Sequence, residues 1–239
     1  MEMTNIKRIT LYLVTVFSLA FTQVSAQDFQ KGTEALEAGD FARAFKEWEP
    51  LAEKGDDDAQ FNLGLMYDRG EGVAQDSAEA VKWYRLAAEQ GNTDALNSIG
   101  VMYQNGHGVL QDFFEAVKWY RLAVEQGNSQ AQYNLGYMYS LGAGVLKDYS
   151  EAVQLWRLAA EQGNSQAQNN LGAMYQFGSG VLQDNLAAHM WYNIASANGN
   201  EKAGEFRDMR ASLMTPEDIS KATAMARECM KSDYKKCGY

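Results

Sequence analysis

The sequence predicts an all-α fold, a right-handed α-solenoid of stacked helix-turn-helix hairpins. Two repeated segments predict it. The segment AVKWYRLAAEQGN at residues 80–92 returns from residues 116, 152 and 188, each time 36 positions on, with a degenerate copy from residue 44. The segment AQFNLGLMY from residue 59 returns from residues 95, 131 and 167 at the same step. Repeats of this length stack on their neighbours to bury an apolar face that they cannot bury alone.

Each segment has the apolar spacing of a helix. In the first helix of a hairpin, which we call helix A, Ala59, Leu63 and Met66 stand at i, i+4 and i+7. In the second helix, helix B, Ala80, Tyr84 and Ala87 have the same spacing. This period places the apolar side chains on one face of each helix. Every repeat is therefore predicted to be a pair of amphipathic helices.

Helix B has start and stop signals. An aspartate precedes it and a glutamate follows three positions later, as in Asp76 and Glu79. This arrangement predicts a capping box, in which each side chain bonds the backbone N–H of the other residue. A glycine follows helix B at positions 91, 127, 163 and 199, where a left-handed residue ends a helix. The loop from helix A to helix B carries two glycines and then a valine, which is expected to return to the core.

A glycine also stands inside each helix A, at positions 64, 100, 136 and 172. A glycine within a helix costs about 1 kcal/mol relative to alanine. The same cost at one site of four copies predicts close contact with a bulky Trp or Tyr of a neighbouring helix B. We also expect Trp119 to be buried between the helices of adjacent repeats.

We expect a single solenoid domain over residues 27–239. A degenerate N-terminal repeat at 27–55 precedes four clear repeats at 56–91, 92–127, 128–163 and 164–199. The first hairpin should pair Phe29–Ala38 with Phe41–Lys54. In the divergent C-terminal cap at 200–239, Glu201–Leu213 and Pro216–Met230 are the predicted helices, and Thr215 caps the second of them.

Residues 1–26 have the features of a cleaved signal peptide. Lys7 and Arg8 precede an apolar run from Ile9 to Phe21, and small residues mark a cleavage site after Ala26. The apolar run is shorter than the ~20 residues that span a bilayer. We therefore expect a periplasmic or secreted protein without membrane insertion after cleavage. The net charge of −10 repels phosphate groups, which argues against nucleic acid as a partner.

The chain has two cysteines, Cys229 and Cys237, both near its C-terminus. An exported chain can form a disulfide, and we expect a local bridge between them; two free thiols are the alternative. Two thiols without a nearby histidine supply too few ligands for zinc. The sequence predicts no metal site and no cofactor.

One string resembles a catalytic motif. Ser232-Asp233-Tyr234-Lys235 fits the S-x-x-K pattern of penicillin-interacting enzymes, but the companion S-D-N and K-T-G strings are missing. His107 and His189 have no partner at metal-ligand spacing, and the repeated acidic residues lie at helix starts as caps. The sequence therefore predicts a protein that is not an enzyme, with a penicillin-interacting hydrolase as a remote alternative.

The repeated pattern also resembles a known family. A-x-x-N-L-G-x-M-Y, then G-x-G-V-x-x-D, then E-A-V-x-W-Y-R-L-A-A-E-Q-G, is similar to the Sel-one-like repeats, relatives of the tetratricopeptide repeats. The resemblance is strong over Asp56–Asn200 and weak over Phe29–Gly55. It implies an adaptor or scaffold, with exported bacterial members acting in envelope assembly, sensor regulation or host contact. The C-terminal A-R-E-C-M-K-S-D-Y-K-K-C resembles the cysteine-rich secreted branch, although here only the last repeat has a cysteine pair.

Comparison of the four helix A copies predicts where a partner binds. Core positions must match for repeats to stack, whereas a partner is not periodic, so binding positions should differ between copies. Three positions differ, and their spacing of i, i+4 and i+8 places them in one stripe per helix. We call them the variable stripe. Its predicted partner-binding residues are Phe61, Leu65, Arg69, Asn97, Val101, Tyr133, Tyr137, Leu141, Asn169 and Phe177.

The composition of the variable stripe favours a protein or peptide partner. Its twelve positions, which also include Asn105 and Ala173, hold one charge, at Arg69. Aromatic residues concentrate there, as is typical of interface anchors. We expect a concave binding face centred on Tyr133, Tyr137, Leu141 and Phe177. Binding of carbohydrate or cell wall by the same aromatic side chains is an alternative, and unconstrained surface positions are another.

Overall fold

The computed structural model describes residues 28–235 and 237. The predicted signal peptide lies outside the described residues. Within them the chain forms twelve helices and no strand. The first helix, α1, covers residues 28–37. The others are α2 Phe41–Glu53, α3 Asp57–Arg69, α4 Ser77–Glu89, α5 Thr93–Asn105, α6 Phe113–Glu125, α7 Ser129–Leu141, α8 Tyr149–Glu161, α9 Ser165–Phe177, α10 Asn185–Ala197, α11 Glu201–Ala211 and α12 Pro216–Lys231.

The fold class predicted from the repeat is confirmed. The helices pair as hairpins with a step of 36 residues, in which α3, α5, α7 and α9 are helices A and α4, α6, α8 and α10 are helices B. The chain divides into two compact units. Unit 1 extends to Ala95 and includes His107–Val109; unit 2 comprises Leu96–Gly106 and the chain from Leu110 onwards.

Each unit has its own apolar core. In unit 1, Trp48, Leu63 and Met66 form one cluster of buried side chains, against which Val73 and Trp83 pack. In unit 2, the larger cluster includes Trp156, Leu171 and Trp191. Val181 packs against this second cluster, so the valine that follows the loop glycines returns to the core in both units, as predicted.

The helix ends follow the sequence signals, with one correction. The Asp76 side chain accepts hydrogen bonds from the backbone N–H groups of Ala78 and Glu79, as an N-cap should. The reciprocal half of the predicted capping box is wrong. The Asp76 N–H donates instead to the carbonyl oxygen of Tyr67, at 2.9 Å, and Glu79 pairs with Lys82, at 2.6 Å. The aspartate therefore joins helix B to the end of helix A.

The glycines inside helix A make the close contacts that were predicted. A Cβ added to Gly64 would lie 2.5 Å from the Tyr84 ring, and one added to Gly172 would lie 2.6 Å from the Tyr192 ring. The aromatic residue belongs to helix B of the same hairpin in all four repeats. A Cβ added to Gly32 on α1 would likewise lie against the Trp48 ring, 2.3 Å from its Nε1. The degenerate first hairpin thus has the same packing, in spite of its shorter loop.

The expected burial of Trp119 is wrong by one position, because the buried aromatic residue is the next one along the chain. Tyr120 is the fully buried aromatic residue of α6, whereas Trp119 is half-buried. The indole N–H of Trp119 is inaccessible and finds no hydrogen-bond partner among the described residues. The ring that contacts the helix A glycine occupies the deeper position, because the absence of a Cβ on the glycine allows the two helices to approach most closely there.

The C-terminal pair differs from a regular hairpin. Helix α12 begins at Pro216, and the Thr215 hydroxyl accepts from the Asp218 N–H, at 3.1 Å, as predicted. Helix α12 packs against α10, where Met190 and Ile194 are buried with Cys229. The matching leucines of the other helices B, Leu86, Leu122 and Leu158, are 44–46% exposed. Only the last helix B therefore has its outer face covered within the described chain.

Candidate partner-binding surface

The variable stripe becomes more exposed from its first position to its last. The first position of each helix A is half-buried, at Phe61, Asn97, Tyr133 and Asn169. The middle position is half-buried at Leu65, Val101 and Ala173 but 41% exposed at Tyr137. The last position is exposed in all four copies, and it reaches 56% at Leu141 and 69% at Phe177. A partner would therefore first contact the C-terminal half of each helix A.

The first position also holds neighbouring helices A together in unit 2. The Asn134 side-chain amide donates to Asn97 Oδ1, at 2.9 Å, which joins α7 to α5. Tyr133 packs against the core cluster of unit 2 and hydrogen-bonds with the Asn170 side chain, which joins α7 to α9. Burial raises the pKa of the Tyr133 hydroxyl. Tyr133 is therefore both a stripe residue and a packing residue.

Asn169 lies where this series of contacts stops. Asn97 bonds the residue 37 positions further along, and so does Tyr133. The residue 37 positions after Asn169 is Phe206, which has no amide and packs instead on Tyr192, with ring centroids 5.5 Å apart. Asn169 Oδ1 is inaccessible and has no hydrogen-bond partner among the described residues. Asn169 Oδ1 therefore lacks a hydrogen bond because α11 has a phenylalanine where α7 and α9 have an asparagine.

In unit 1 the variable stripe consists of Phe61, Leu65 and Arg69 on α3. Phe61 packs against Tyr84 with ring centroids 5.8 Å apart. Arg69 is exposed and lies 3.9 Å from the Glu71 carboxylate. This helix therefore combines an apolar first half with a cationic end, whereas the stripes on α5, α7 and α9 are uncharged.

Buried glutamines form a set of contacts that sequence reasoning missed. Gln168 donates to the carbonyl oxygen of Ala160 in the preceding helix B, at 3.1 Å, and accepts from Asn198 at the end of its own helix B, at 2.8 Å. Gln60 bonds Ala52 and Gln90 in the same way in unit 1. The signal in the sequence was a glutamine directly after the first alanine of helix A, which recurs in three of the four repeats. Leu96 stands at that position in the second repeat and has no amide with which to make these bonds.

A second repeated pair joins helix B to the next helix A. Arg121 donates to the Tyr139 hydroxyl, at 3.0 Å, and Arg157 donates to the Tyr175 hydroxyl, at 2.7 Å. Both pairs are 18 residues apart in sequence. Tyr139 and Tyr175 occupy the same position of helix A in their repeats, and both are half-buried. Their hydroxyl groups hold adjacent repeats together through these bonds.

The S-x-x-K string lies at the wrong end of a helix for nucleophilic catalysis. Ser232 is the C-cap of α12, and its hydroxyl donates to the Cys229 carbonyl oxygen, at 2.8 Å. The C-terminus of a helix carries partial negative charge, which opposes the oxyanion of an acyl-transfer reaction. His107 is exposed in a loop, whereas His189 is buried in α10. Over residues 28–235 and 237, no cluster of three His, Cys, Asp or Glu side chains could hold a metal ion.

The two cysteines form a disulfide, with their Cα atoms 4.5 Å apart. The bridge closes a turn in which Asp233 and Tyr234 are left-handed, with φ of 53° and 62°. The Tyr234 hydroxyl donates to Asn198 Oδ1, at 3.0 Å, and so completes the chain of bonds from Gln168 through Asn198. The described part of the chain contains no helix long and apolar enough to cross a bilayer.

Comparison with known proteins identifies the class. Residues 57–92, 93–128, 129–164 and 165–200 match the family model of the Sel1 repeat. These four windows cover more than half of the chain, so the chain belongs to the Sel1 repeat family. The resemblance found in the sequence is thereby confirmed. Proteins of this family generally mediate protein–protein interactions, and the fold is a typical non-catalytic scaffold.

Solved structures agree with this family. A Sel1 repeat protein from Oxalobacter formigenes is 36% identical with a TM-score of 0.74, over 86% of this chain and 88% of that one. The protective antigen c5321 of uropathogenic Escherichia coli, which displays an SLR fold, is 33% identical with a TM-score of 0.75; the match covers 95% of this chain and 49% of that longer protein. The immunity protein Pa5087 from Pseudomonas aeruginosa, 19% identical over 89% of this chain and 83% of that one with a TM-score of 0.56, shares the fold. No curated protein gives a significant match.

Proposed function

We propose that this protein is an exported adaptor that binds a partner protein or peptide through the variable stripe of its helices A. The observation that carries the proposal is that large apolar side chains are exposed at positions whose identity varies between repeats. Tyr137, Leu141 and Phe177 are large apolar residues that change identity between copies, and they are 41–69% exposed. Stacking of the repeats requires none of them. Exposed aromatic residues in a continuous surface are typical of interface anchors.

Two further observations support parts of the proposal. The disulfide between Cys229 and Cys237 is a bond that persists in oxidising compartments, which favours export to the periplasm or beyond. The stripes of α5, α7 and α9 are connected to one another by the Asn97–Asn134 and Tyr133–Asn170 contacts. The three stripes of unit 2 are therefore neighbours, and a single partner can contact all of them.

Site-specific photo-cross-linking tests the proposal. We would place p-benzoylphenylalanine at Tyr137 or Phe177 and irradiate the protein in an envelope extract from its source cells. The matched control places the same group at Leu158 on helix B, which is 46% exposed. We expect the same cross-linked protein from positions 137 and 177 and none from 158. Equal cross-linking from Leu158, or capture only of purified cell wall, would overturn the proposal in favour of another surface or of a carbohydrate ligand.

A further inference from the structure

A row of apolar side chains lies on the loop edge of unit 2, outside the variable stripe. Leu110, Leu146 and Leu182 stand 36 residues apart in the loops between helix A and helix B, and each is 89–91% exposed. Phe114 is 70% exposed, and Phe113 and Tyr149 are 37–38% exposed, at the first turns of α6 and α8. We call these six residues the leucine ridge. All of them belong to unit 2.

The leucine ridge is continuous. A Cβ added to Gly144 would lie 2.3 Å from the Phe113 carbonyl oxygen, and one added to Gly180 would lie 2.4 Å from the Tyr149 carbonyl oxygen. Each loop therefore lies directly against the start of the preceding helix B. Leu146 follows Gly144 by two residues, and Leu182 follows Gly180 by two residues. The loop leucines and the aromatic residues of helix B thus form one surface along the edge.

The fold does not require these residues to be apolar. The loop of unit 1 has the same pair of left-handed glycines, Gly70 and Gly72. At the positions of the ridge it carries Ala74, Ser77 and Ala78. The valine that precedes each loop leucine supplies the core contact, as Val73 and Val181 show. The leucine ridge is therefore an apolar surface that folding leaves uncovered.

We propose that the leucine ridge is the contact between two copies of this chain, related by a two-fold axis through Leu146. Three identical residues at equal spacing are self-complementary under such an axis. Leu146 meets Leu146 of the second copy, and Leu110 meets Leu182 of the second copy. The six side chains present roughly 600–800 Å² of accessible surface, which approaches the ~800 Å² per partner of a standard interface.

Charge favours a second copy over a lipid surface. The whole chain carries a net charge of −10, which anionic lipid headgroups repel. Unit 2 is close to neutral, since residues 96–239 contain 14 acidic and 12 basic residues. Lys147 and Asp148 are adjacent and exposed in the central loop. Lys147 lies over the Tyr149 ring, with its Nζ 4.6 Å from the ring centroid, so the central loop carries one charge of each sign and no net charge to oppose a second copy.

Cysteine cross-linking tests the symmetry directly. Both native cysteines are in the disulfide, so a short bismaleimide in the absence of reductant reacts only at introduced thiols. We expect Leu146→Cys chains to cross-link with themselves. Leu110→Cys should cross-link with Leu182→Cys in a mixture, and neither should do so alone. Leu158→Cys on the outer face of α8 is the matched control and should give no dimer.

Sedimentation equilibrium supplies the second measurement. The wild-type chain should dimerise, and Leu146→Asp should weaken the dimer at least tenfold, while Leu158→Asp should leave it unchanged. Since Leu146 is 91% exposed, the thermal transition of the Leu146→Asp chain should equal that of the wild-type chain at a concentration too low for dimerisation. A wild-type chain that remains monomeric, or Leu110→Cys chains that cross-link with themselves as readily as Leu146→Cys, would overturn the proposal. Flotation of wild-type monomer with phosphatidylcholine vesicles would assign the ridge to a lipid surface instead.

Discussion

Helix α7 has one face whose residues are the same or similar in every helix A and another face whose residues differ. Leu135, Gly136 and Met138 are buried, and the same or similar residues occupy their positions in every other helix A. Tyr137 and Leu141 on the other face are exposed and are replaced by different residues in each copy. Both faces share one set of caps, so helix formation does not distinguish them. Stacking explains the constant face, and the variable face requires another explanation.

The first position of the variable stripe shows that a position can vary between repeats and still take part in packing. Tyr133, Asn97 and Phe61 are chemically unlike, yet each contacts a neighbouring helix through its side chain. A position can change identity when its partner changes with it, and the failure of Asn169 to find a partner opposite Phe206 illustrates the same rule. The surface free for a partner therefore begins at the second position of the stripe.

The largest expected effect is on the constant face. Tyr120 is fully buried, and its hydroxyl donates to Gln104 Oε1, at 2.6 Å. Tyr120→Ala should lower the free energy of unfolding by ~3–5 kcal/mol, the range for loss of a large core aromatic side chain. Trp119→Ala should cost less, because Trp119 is half-buried. Urea denaturation of the two variants measures the difference, and a greater loss for Trp119→Ala would reverse our assignment of the core position.

Neighbouring residues of α9 sharpen the comparison. A Cβ at Gly172 would lie 2.6 Å from the Tyr192 ring, so Gly172→Leu should cost about 3 kcal/mol, as overpacking of a core does. Ala173→Leu introduces the same side chain one position along, where Leu65 is the natural residue in the first clear repeat. It should change stability by less than about 0.5 kcal/mol. Thermal melting of both variants tests this pair, and equal losses would contradict the division into two faces.

The buried glutamine should have a smaller effect. Gln168→Leu removes a donor from the Ala160 carbonyl oxygen and an acceptor from the Asn198 amide, and the loss of buried hydrogen bonds costs ~1–3 kcal/mol. The control is Gln166→Leu, two positions away and exposed, for which we expect less than about 0.5 kcal/mol. Denaturant unfolding of both variants gives the answer. A neutral Gln168→Leu would show that the leucine side chain compensates for the lost bonds, as Leu96 would in its own repeat.

The smallest effect depends on pH. Burial and, secondarily, Arg207 lower the pKa of His189, whose Nδ1 has no hydrogen-bond partner within the described residues. The unfolded chain therefore binds a proton at a higher pH than the folded chain, and stability falls as the pH drops below about 6.5. His189→Val, which installs the residue of the other three repeats, should lose less stability between pH 7 and pH 5. Parallel slopes for the two chains would contradict this account.

The sequence predicts the constant face better than the variable one. A fixed step of 36 residues identifies the core positions, because residues that pack between repeats recur at that step. Gly64 and its equivalents, which pack against an aromatic ring in every regular hairpin, are an example. The step does not reveal that Gly32 does the same, since the first loop is shorter and breaks the step. The reciprocal capping box failed because the Tyr67 carbonyl oxygen competes for the Asp76 N–H, a contact between helices that local sequence does not contain. Side-chain contacts between neighbouring helices A, such as that of Asn97 with Asn134, could not be predicted from the sequence for the same reason.

The most direct test of the two-face account measures stability and affinity on the same variants. Once cross-linking has supplied the partner, Tyr137→Ala, Leu141→Ala and Phe177→Ala are compared with wild type by calorimetric titration and by thermal melting. The account predicts that each weakens the Kd by roughly 5- to 1000-fold, corresponding to ~1–4 kcal/mol, with an unaltered Tm. Tyr133→Ala should reduce both, because Tyr133 packs against the core. Unchanged affinity in the three folded variants would contradict the claim that the variable stripe is the binding surface.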